Sequence, residues 1–225
     1  MTTEIRTDRE TLLVELVDEH GRAIGARSVA DAHRAPGQLH RAFSVLLYDA
    51  SGRILLQRRA AVKTRFPRRL SNTCCGHPAP GEDVLAAASI RLMEELNLAV
   101  TELTEAGIYR YRAADPRGDQ VEHEWDHVLV GLIPSDLPRP DPAEVSECLW
   151  ADPADLLEDI SAAPDSYTPW LSGVLDIATR AADFMQADSK EALDREHLPE
   201  PSKGTRSGGT GGGGSKSGDA AMGST

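Results

Sequence analysis

The chain has 225 residues, 40% of them apolar, enough for one sizeable core. Its 36 Asp and Glu against 24 Lys and Arg give a formal charge of -12, which repels a phosphate backbone and argues against nucleic acid as a partner. Three cysteines, two of them adjacent, make no disulfide framework in a chain this long, and no stretch approaches the ~18 apolar residues of a membrane span, so a reduced, soluble, cytoplasmic protein is expected.

In chain order, TLLVELVD and AFSVLLYD read as strands, and DASG followed by RILLQRR as a glycine turn and the second strand of a hairpin. EDVLAAASIRLMEEL has helical spacing, with Leu85, Ala88, Leu92 and Leu96 on one apolar stripe. At about 100° per residue, Glu95 borders that stripe and reaches under the helix, whereas Glu94 points away into solvent. GIYRYRA, QVEHEWDHVLVGLI and EVSECLWA follow as strands and PADLLEDI as a short helix. A terminal helix in PWLSGVLDIATRAADFM, with Pro169 near its start, ends near Gln186. The order predicts an α+β single domain and not a repeated βαβ winding. Its boundaries are read as a flexible lead over 1–10, a domain over 11–187 and a disordered Gly/Ser-rich tail over 188–225.

His33 and His40 flank RAPGQL, His77 follows the cysteines, and Glu122 and Glu124 alternate with His123 and Trp125 along one strand. Alternation puts Glu122 and Glu124 on a common face, where two carboxylates repel unless a proton or cation lies between them. Three imidazoles and these two carboxylates would make a site suited to Zn2+, Mn2+ or a similar divalent ion; singly, each is an ordinary surface or capping residue. The same alternation in CCGH places Cys75 on the face of His77 and Cys74 on the other. Cys75 is then the site thiol, while Cys74 and Cys148 read as small buried hydrophobes. QRRAAVKTRFPRRL adds Arg58, Arg59, Lys63, Arg65, Arg68 and Arg69, a cluster that indicates an anion site, with Arg68 and Arg69 read as solvated.

GHPAPGEDVLAAASIRLMEELNL resembles a degenerate Nudix box, G-x5-E-x7-R-E-U-x-E-E-x-G-U with U aliphatic. Gly76, Glu82, Leu92, Glu94, Glu95 and Leu98 fit, whereas Ile90, Arg91 and Asn97 stand where Arg, Glu and Gly belong. With AHRAPGQLHRAFSVLLYD, LQRRA, SNTCCGHP, YRYRA, VEHEWDHV and TPW, the stretch from about Leu12 to Ala182 is similar to the type I isopentenyl diphosphate isomerases. That resemblance implies a Nudix-like mixed β-sheet sandwiched by α-helices. It also implies an enzyme that interconverts isopentenyl and dimethylallyl diphosphate by protonation and deprotonation, using metal and no flavin.

The resemblance gives His33, His40, His77, Glu122 and Glu124 to a catalytic divalent metal, Mn2+ or Zn2+. Cys75 and Glu124 become the proton-transfer pair, with Glu124 as donor and Cys75 as a thiolate base. Glu95, with the Cys75 carbonyl, holds Mg2+ against the substrate diphosphate, and Arg59, Lys63 and Arg91 contact its phosphates. Tyr111 assists Glu124, and Trp170 faces the isoprenyl tail and stabilises a carbocation. A lysine that the family often places four residues before the first metal histidine is Val29 here, with Arg27 or Arg34 as replacements. A Nudix hydrolase and a non-catalytic metal-binding module are the alternatives.

Overall fold

The computed structural model describes residues 8–100, 102–133 and 138–181. The expected tail, most of the expected flexible lead and the helix end near Gln186 lie outside these residues. Asp8 to Glu10, assigned to that lead, lie at the domain surface, where Arg9–Thr11 forms a single 3-10 turn and Glu10 binds Thr64 and Arg65.

Nine strands are described: β1 Leu13–Val17, β2 Ala23–Ser28, β3 His40–Tyr48, β4 Ile54–Arg59, β5 Leu70–Ser71, β6 Cys74–Gly76, β7 Leu103–Ala114, β8 Val121–Leu132 and β9 Val145–Ala151. The helices are α1 Val29–His33, α2 Val84–Leu96, α3 Pro153–Ala162 and α4, described over 171–181. The sheet is mixed, because β3 runs parallel to β8 while the other strand pairs are antiparallel. Among the described residues, no helix is long and apolar enough to cross a membrane. The elements that sequence patterning left unassigned, β2, α1, β5 and β6, are short or have no strong period.

Local chemistry fixes the ends of these elements. Asp49 accepts from the amides of Ser51 and Arg53 and closes the β3/β4 hairpin, with Gly52 at φ 84°. Asp83 caps α2 by accepting from the Ala86 amide, and Asp152 caps α3 with Pro153 at its first position. Helix α2 stops at Asn97, which adopts the left-handed conformation at φ 52°. The Nudix box asks for glycine there because of this backbone shape, and asparagine is the side chain that best tolerates it.

The sheet separates two apolar layers. On one face Phe43, Val45 and Leu47 of β3 and Leu129 of β8 pack with Cys74 against Ala88, Leu92 and Leu96 of α2. On the other, Leu46 and Val128 meet Leu156 of α3 and Leu171, Val174 and Leu175 of α4, with Cys75 beside them. The two neighbouring cysteines thus belong to opposite layers, as strand alternation requires. The buried arc of α2 also takes in Ala87, Arg91 and Glu95, and Leu85, expected on the stripe, lies at its edge and is 39% exposed. Gly76 pairs with Phe43 so closely that a Cβ there would come within 2.6 Å of the ring, so only glycine permits the β3/β6 contact that seats Cys75.

Candidate active site and metal centre

Register assembles the site. The parallel pairing of β3 with β8 sets His40 beside Glu124, and the antiparallel pairing of β8 with β7 sets Tyr111 on the other side of Glu124. On the far edge of β3, Ser44 faces Cys75. Chain connectivity supplies the rest, because α1 ends in His33 and the chain leaving β6 carries His77.

These residues form a cage. Ligand atoms of His33, His40, His77, Glu122 and Glu124 all lie within 4.8 Å of one another, and the three imidazole centroids are 4.6–5.1 Å apart. Nδ1 of His33 is 2.7 Å from the Val29 carbonyl and Nδ1 of His40 is 2.7 Å from that of Gln38. Donation to those carbonyls leaves each Nε2 with a lone pair directed inward. Nε2 of His33 and of His40 and Oε2 of Glu122 are buried without a hydrogen-bond partner, although His33 Nε2 is 2.8 Å from Glu122 Oε2. Acceptors converging at that distance need a proton or a cation between them, so the donor set fits a divalent metal.

The charges agree with this arrangement. Burial pushes the His77 imidazole down to about 4, against the pull of Glu124, which favours the neutral form that can ligate a metal. For Glu124, burial favours the acid, but His40 and His77 outweigh it and hold the carboxyl well below its usual range. Burial opposes a charge on His33 as well, and the Glu122 carboxylate overcomes it and raises the imidazole. Without a metal, a proton takes the metal's place between them.

The cage opens into a cavity of about 430 Å³ that is also lined by Cys75, Tyr111, Trp170, Arg59, Lys63 and Arg91. Tyr111 donates to Glu124 Oε2 at 2.6 Å, and burial followed by the Glu124 charge holds its phenol well above the ordinary range. Burial pushes the Cys75 thiol up to about 12 despite the nearby Arg59 guanidinium, which works against the thiolate form that the resemblance implies. Trp170 is buried, 5.8 Å from the Tyr111 ring and 5.4 Å from the Phe66 ring between centroids.

The cations are heavily engaged by the protein itself. Lys63 reaches Glu144 at 2.5 Å, and Arg91 bridges Glu94, Glu95 and Glu144. Arg59 donates to the carbonyls of Arg65 and Phe66 and lies 5.7 Å from the Trp170 ring centroid. Arg65, weighed in the sequence only as one of a cluster, lines the cavity and binds Glu10 and Glu122. Arg69 is not solvated as expected: it donates to the Tyr167 carbonyl and packs over Phe66, while Arg68 is exposed. Arg27 and Arg34 are both exposed and line no part of the cavity, whereas Val29 does, so neither replaces a lysine there. Glu94 is about half exposed, as expected, but pairs with Arg9 and Arg91.

Four participants carried no role in the sequence reading. Asp126 continues the Glu122, Glu124 alternation and accepts from Ser44 at 2.8 Å. That signal was available in the strand pattern. Glu10 and Glu144 come from distant segments with no motif of their own, and Asn72 was hidden inside the cysteine motif.

A mixed sheet with helices on both faces and a cavity at the strand ends defines a Nudix-type domain. The chain matches the NUDIX domain family over residues 38–171. A crystal structure of DR0079 from Deinococcus radiodurans superposes with a TM-score of 0.60 at 21% identity, over 73% of this chain and 97% of that one. Two relatives named isopentenyl-diphosphate Delta-isomerase are much closer in sequence. One, from Nocardia farcinica, is 62% identical over 75% of this chain and 95% of its own length. The other, from Streptomyces griseus, is 50% identical over 76% of this chain and 86% of its own length. The chain belongs to the isopentenyl-diphosphate Delta-isomerase family, built on a Nudix domain.

Proposed function

We propose that the protein interconverts isopentenyl diphosphate and dimethylallyl diphosphate, moving the double bond by one position in isoprenoid biosynthesis. The observation that carries this reading is the cavity itself: a thiol from β6 and a carboxylate from β8 share it with an aromatic ring and a group of cations. The reaction needs one group to protonate the terminal alkene carbon and another to remove a proton from the carbon on the far side of the cation. Cys75 and Glu124 are these groups, and because the reaction is reversible each donates in one direction and accepts in the other. Tyr111 holds one oxygen of Glu124 and so orients its carboxylate. The Trp170 ring gives the intermediate tertiary cation an electron-rich face, worth about 2 kcal/mol where water is excluded.

Arg59, Lys63 and Arg91 receive the diphosphate, and Arg91 and Lys63 exchange carboxylate partners for phosphate oxygens as it enters. The cage residues His33, His40, His77, Glu122 and Glu124 would hold Mn2+ or Zn2+, the choice between them being one for elemental analysis. Such a metal supplies fixed positive charge beside Glu124. Mg2+ held by Glu95 fits less well, because the Glu95 oxygens face Arg91 and Gln57 and one of these would have to withdraw. The hydrolase alternative is disfavoured by Arg91, a cation where the Nudix box has a carboxylate. A cytoplasmic location accords with the free cysteines.

The test is to incubate the purified protein with isopentenyl diphosphate and Mg2+, with and without chelator, and follow the products by NMR in D2O. Dimethylallyl diphosphate carrying deuterium, lost on chelation, is the expected result. Released inorganic phosphate or pyrophosphate with no isomer would replace this reading with the hydrolase.

A further inference from the structure

Asn72 is wholly buried between the Cys75 thiol and the Trp170 indole, and the chemistry above assigns it no task. Its side-chain oxygen accepts from Cys75 Sγ at 3.0 Å, from Trp170 Nε1 at 3.1 Å and from Ser71 Oγ at 2.9 Å. Its amide nitrogen donates to the carbonyls of Cys74 at 2.7 Å and Val45 at 3.3 Å. The nitrogen side faces two carbonyls and the oxygen side faces three donors, so the amide has only one sensible orientation. Thr168 extends the network by donating to Ser71 at 3.1 Å.

We propose that Asn72 is a positioning residue for the isomerisation, fixing the proton-transfer thiol and the cation-facing indole on a single carbonyl oxygen. The inference rests on the isomerase reading and adds to it how two of its groups are held at a set distance. Anchoring to Val45 of β3 and to the Cys74 carbonyl gives that oxygen a rigid backbone reference. The bond fixes the N–H edge of the indole on Asn72 while its ring lines the cavity. The thiol has a defined partner for its proton: one given up to the substrate leaves from the S–H···O hydrogen bond, and one taken back from the substrate's allylic carbon by the resulting thiolate re-forms it. Ser44 Oγ and Ser71 Oγ, at 3.8 and 4.0 Å from the sulfur, complete its polar surroundings. A side chain needed only for packing would have no reason to gather both reacting-site donors on one atom.

Two measurements test this. With Asn72→Ser, activity per folded molecule should show kcat reduced by about tenfold or more while KM for isopentenyl diphosphate stays within about twofold, the signature of an interaction used in the chemical step. A kcat within about twofold of wild type, or a loss lying mainly in KM, overturns the proposal. If the variant does not fold, the wild-type holoenzyme decides. The infrared S–H band that disappears in Cys75→Ala should lie at the low frequency of a thiol bonded to a carbonyl. A band at the free-thiol position, or no such band, overturns it. The infrared readout needs no turnover, so a wild type that fails to isomerise would count against the isomerase reading alone.

Discussion

The metal cage and the cation cluster share one cavity and are built on opposite principles. In the cage, buried nitrogen and oxygen atoms are left without partners and converge, with two imidazoles already oriented by backbone carbonyls. In the cation cluster, Lys63, Arg65 and Arg91 are matched by Glu144, Glu10, Glu122 and Glu95. An unsatisfied buried polar set has a large free-energy incentive to bind its ion, whereas a neutralised one must exchange partners to take a ligand. The first arrangement suits a resident metal, and the second suits a diphosphate that has to enter and leave.

The sharpest way to break the cage is at Glu124, which belongs to it and, as we propose, to the proton-transfer pair as well. Glu124→Gln keeps an oxygen near Tyr111 and His77 but removes the charge. We expect isomerisation to fall by roughly 10⁴-fold, with bound metal reduced in parallel. Elemental analysis beside a turnover assay checks both, and full metal occupancy at wild-type rate would remove Glu124 from both roles.

Next in size is the contrast between the two cysteines. Cys75→Ala should cost about 10²- to 10⁴-fold in kcat, the usual worth of a positioned acid or base. Cys74 lies in the layer beneath α2, on the other side of the sheet, so Cys74→Ala should retain kcat within about twofold and lose only stability. Equal activity loss in the two purified variants would contradict the division of faces.

Much of this arrangement was legible in the sequence, and the missing parts share a cause. Strand alternation separated Cys75 from Cys74 and paired Glu122 with Glu124, because a period of two is fixed by backbone geometry whatever lies around it. The helix placed Glu95 inward and Glu94 outward for the same reason. Long-range neutralisation was not legible, since Glu10 and Glu144 meet Arg65 and Lys63 only through loops whose course no local pattern encodes. Nor was the burial that raises the Cys75 thiol, since the cluster it packs against includes Trp170 and Leu171, distant in sequence. The fold class followed from element order, while β5 and β6, too short to show a period, exist through pairing with β4 and β3.

The cation cluster can be turned toward the logic of the cage by Arg91→Glu. The substitution restores a carboxylate of the Nudix box and sets it against Glu95 and Glu144, leaving Lys63 to face three acids. Removing a buried cation from such a group should cost about 3–5 kcal/mol in urea unfolding. Part of that loss should return on adding Mg2+, as it would not for wild type; a variant equally unstable with and without Mg2+ would show that the carboxylates do not converge. The acid side gives a related check. Burial works against the Glu144 charge, but Lys63 and Arg91 prevail and hold the carboxyl at about 2, below its unfolded value. Its stabilising contribution is therefore complete above the ordinary carboxylate range and is lost only as pH falls toward about 2.

The smallest effect lies at Asn97, just beyond α2, whose Arg91 and Glu95 join the cluster. Its own amide donates to the Met93 carbonyl, and its left-handed backbone, at φ 52°, turns the Leu98 amide back onto the Leu92 carbonyl and closes the helix. Asn97→Gly supplies that shape without a side chain and should change stability by no more than about 0.5 kcal/mol, whereas Asn97→Ala should cost about 1 kcal/mol because it keeps the Cβ that crowds the carbonyl and loses the polar side chain that offsets it. Thermal midpoints measured side by side distinguish the two. If alanine proved as good as glycine, the left-handed backbone would make no demand on the side chain, and the box position would have lost its glycine for a different reason. If the predicted order holds, the Asn97 departure from the Nudix pattern is conformationally neutral, whereas that at Arg91 changes the charge balance of the site.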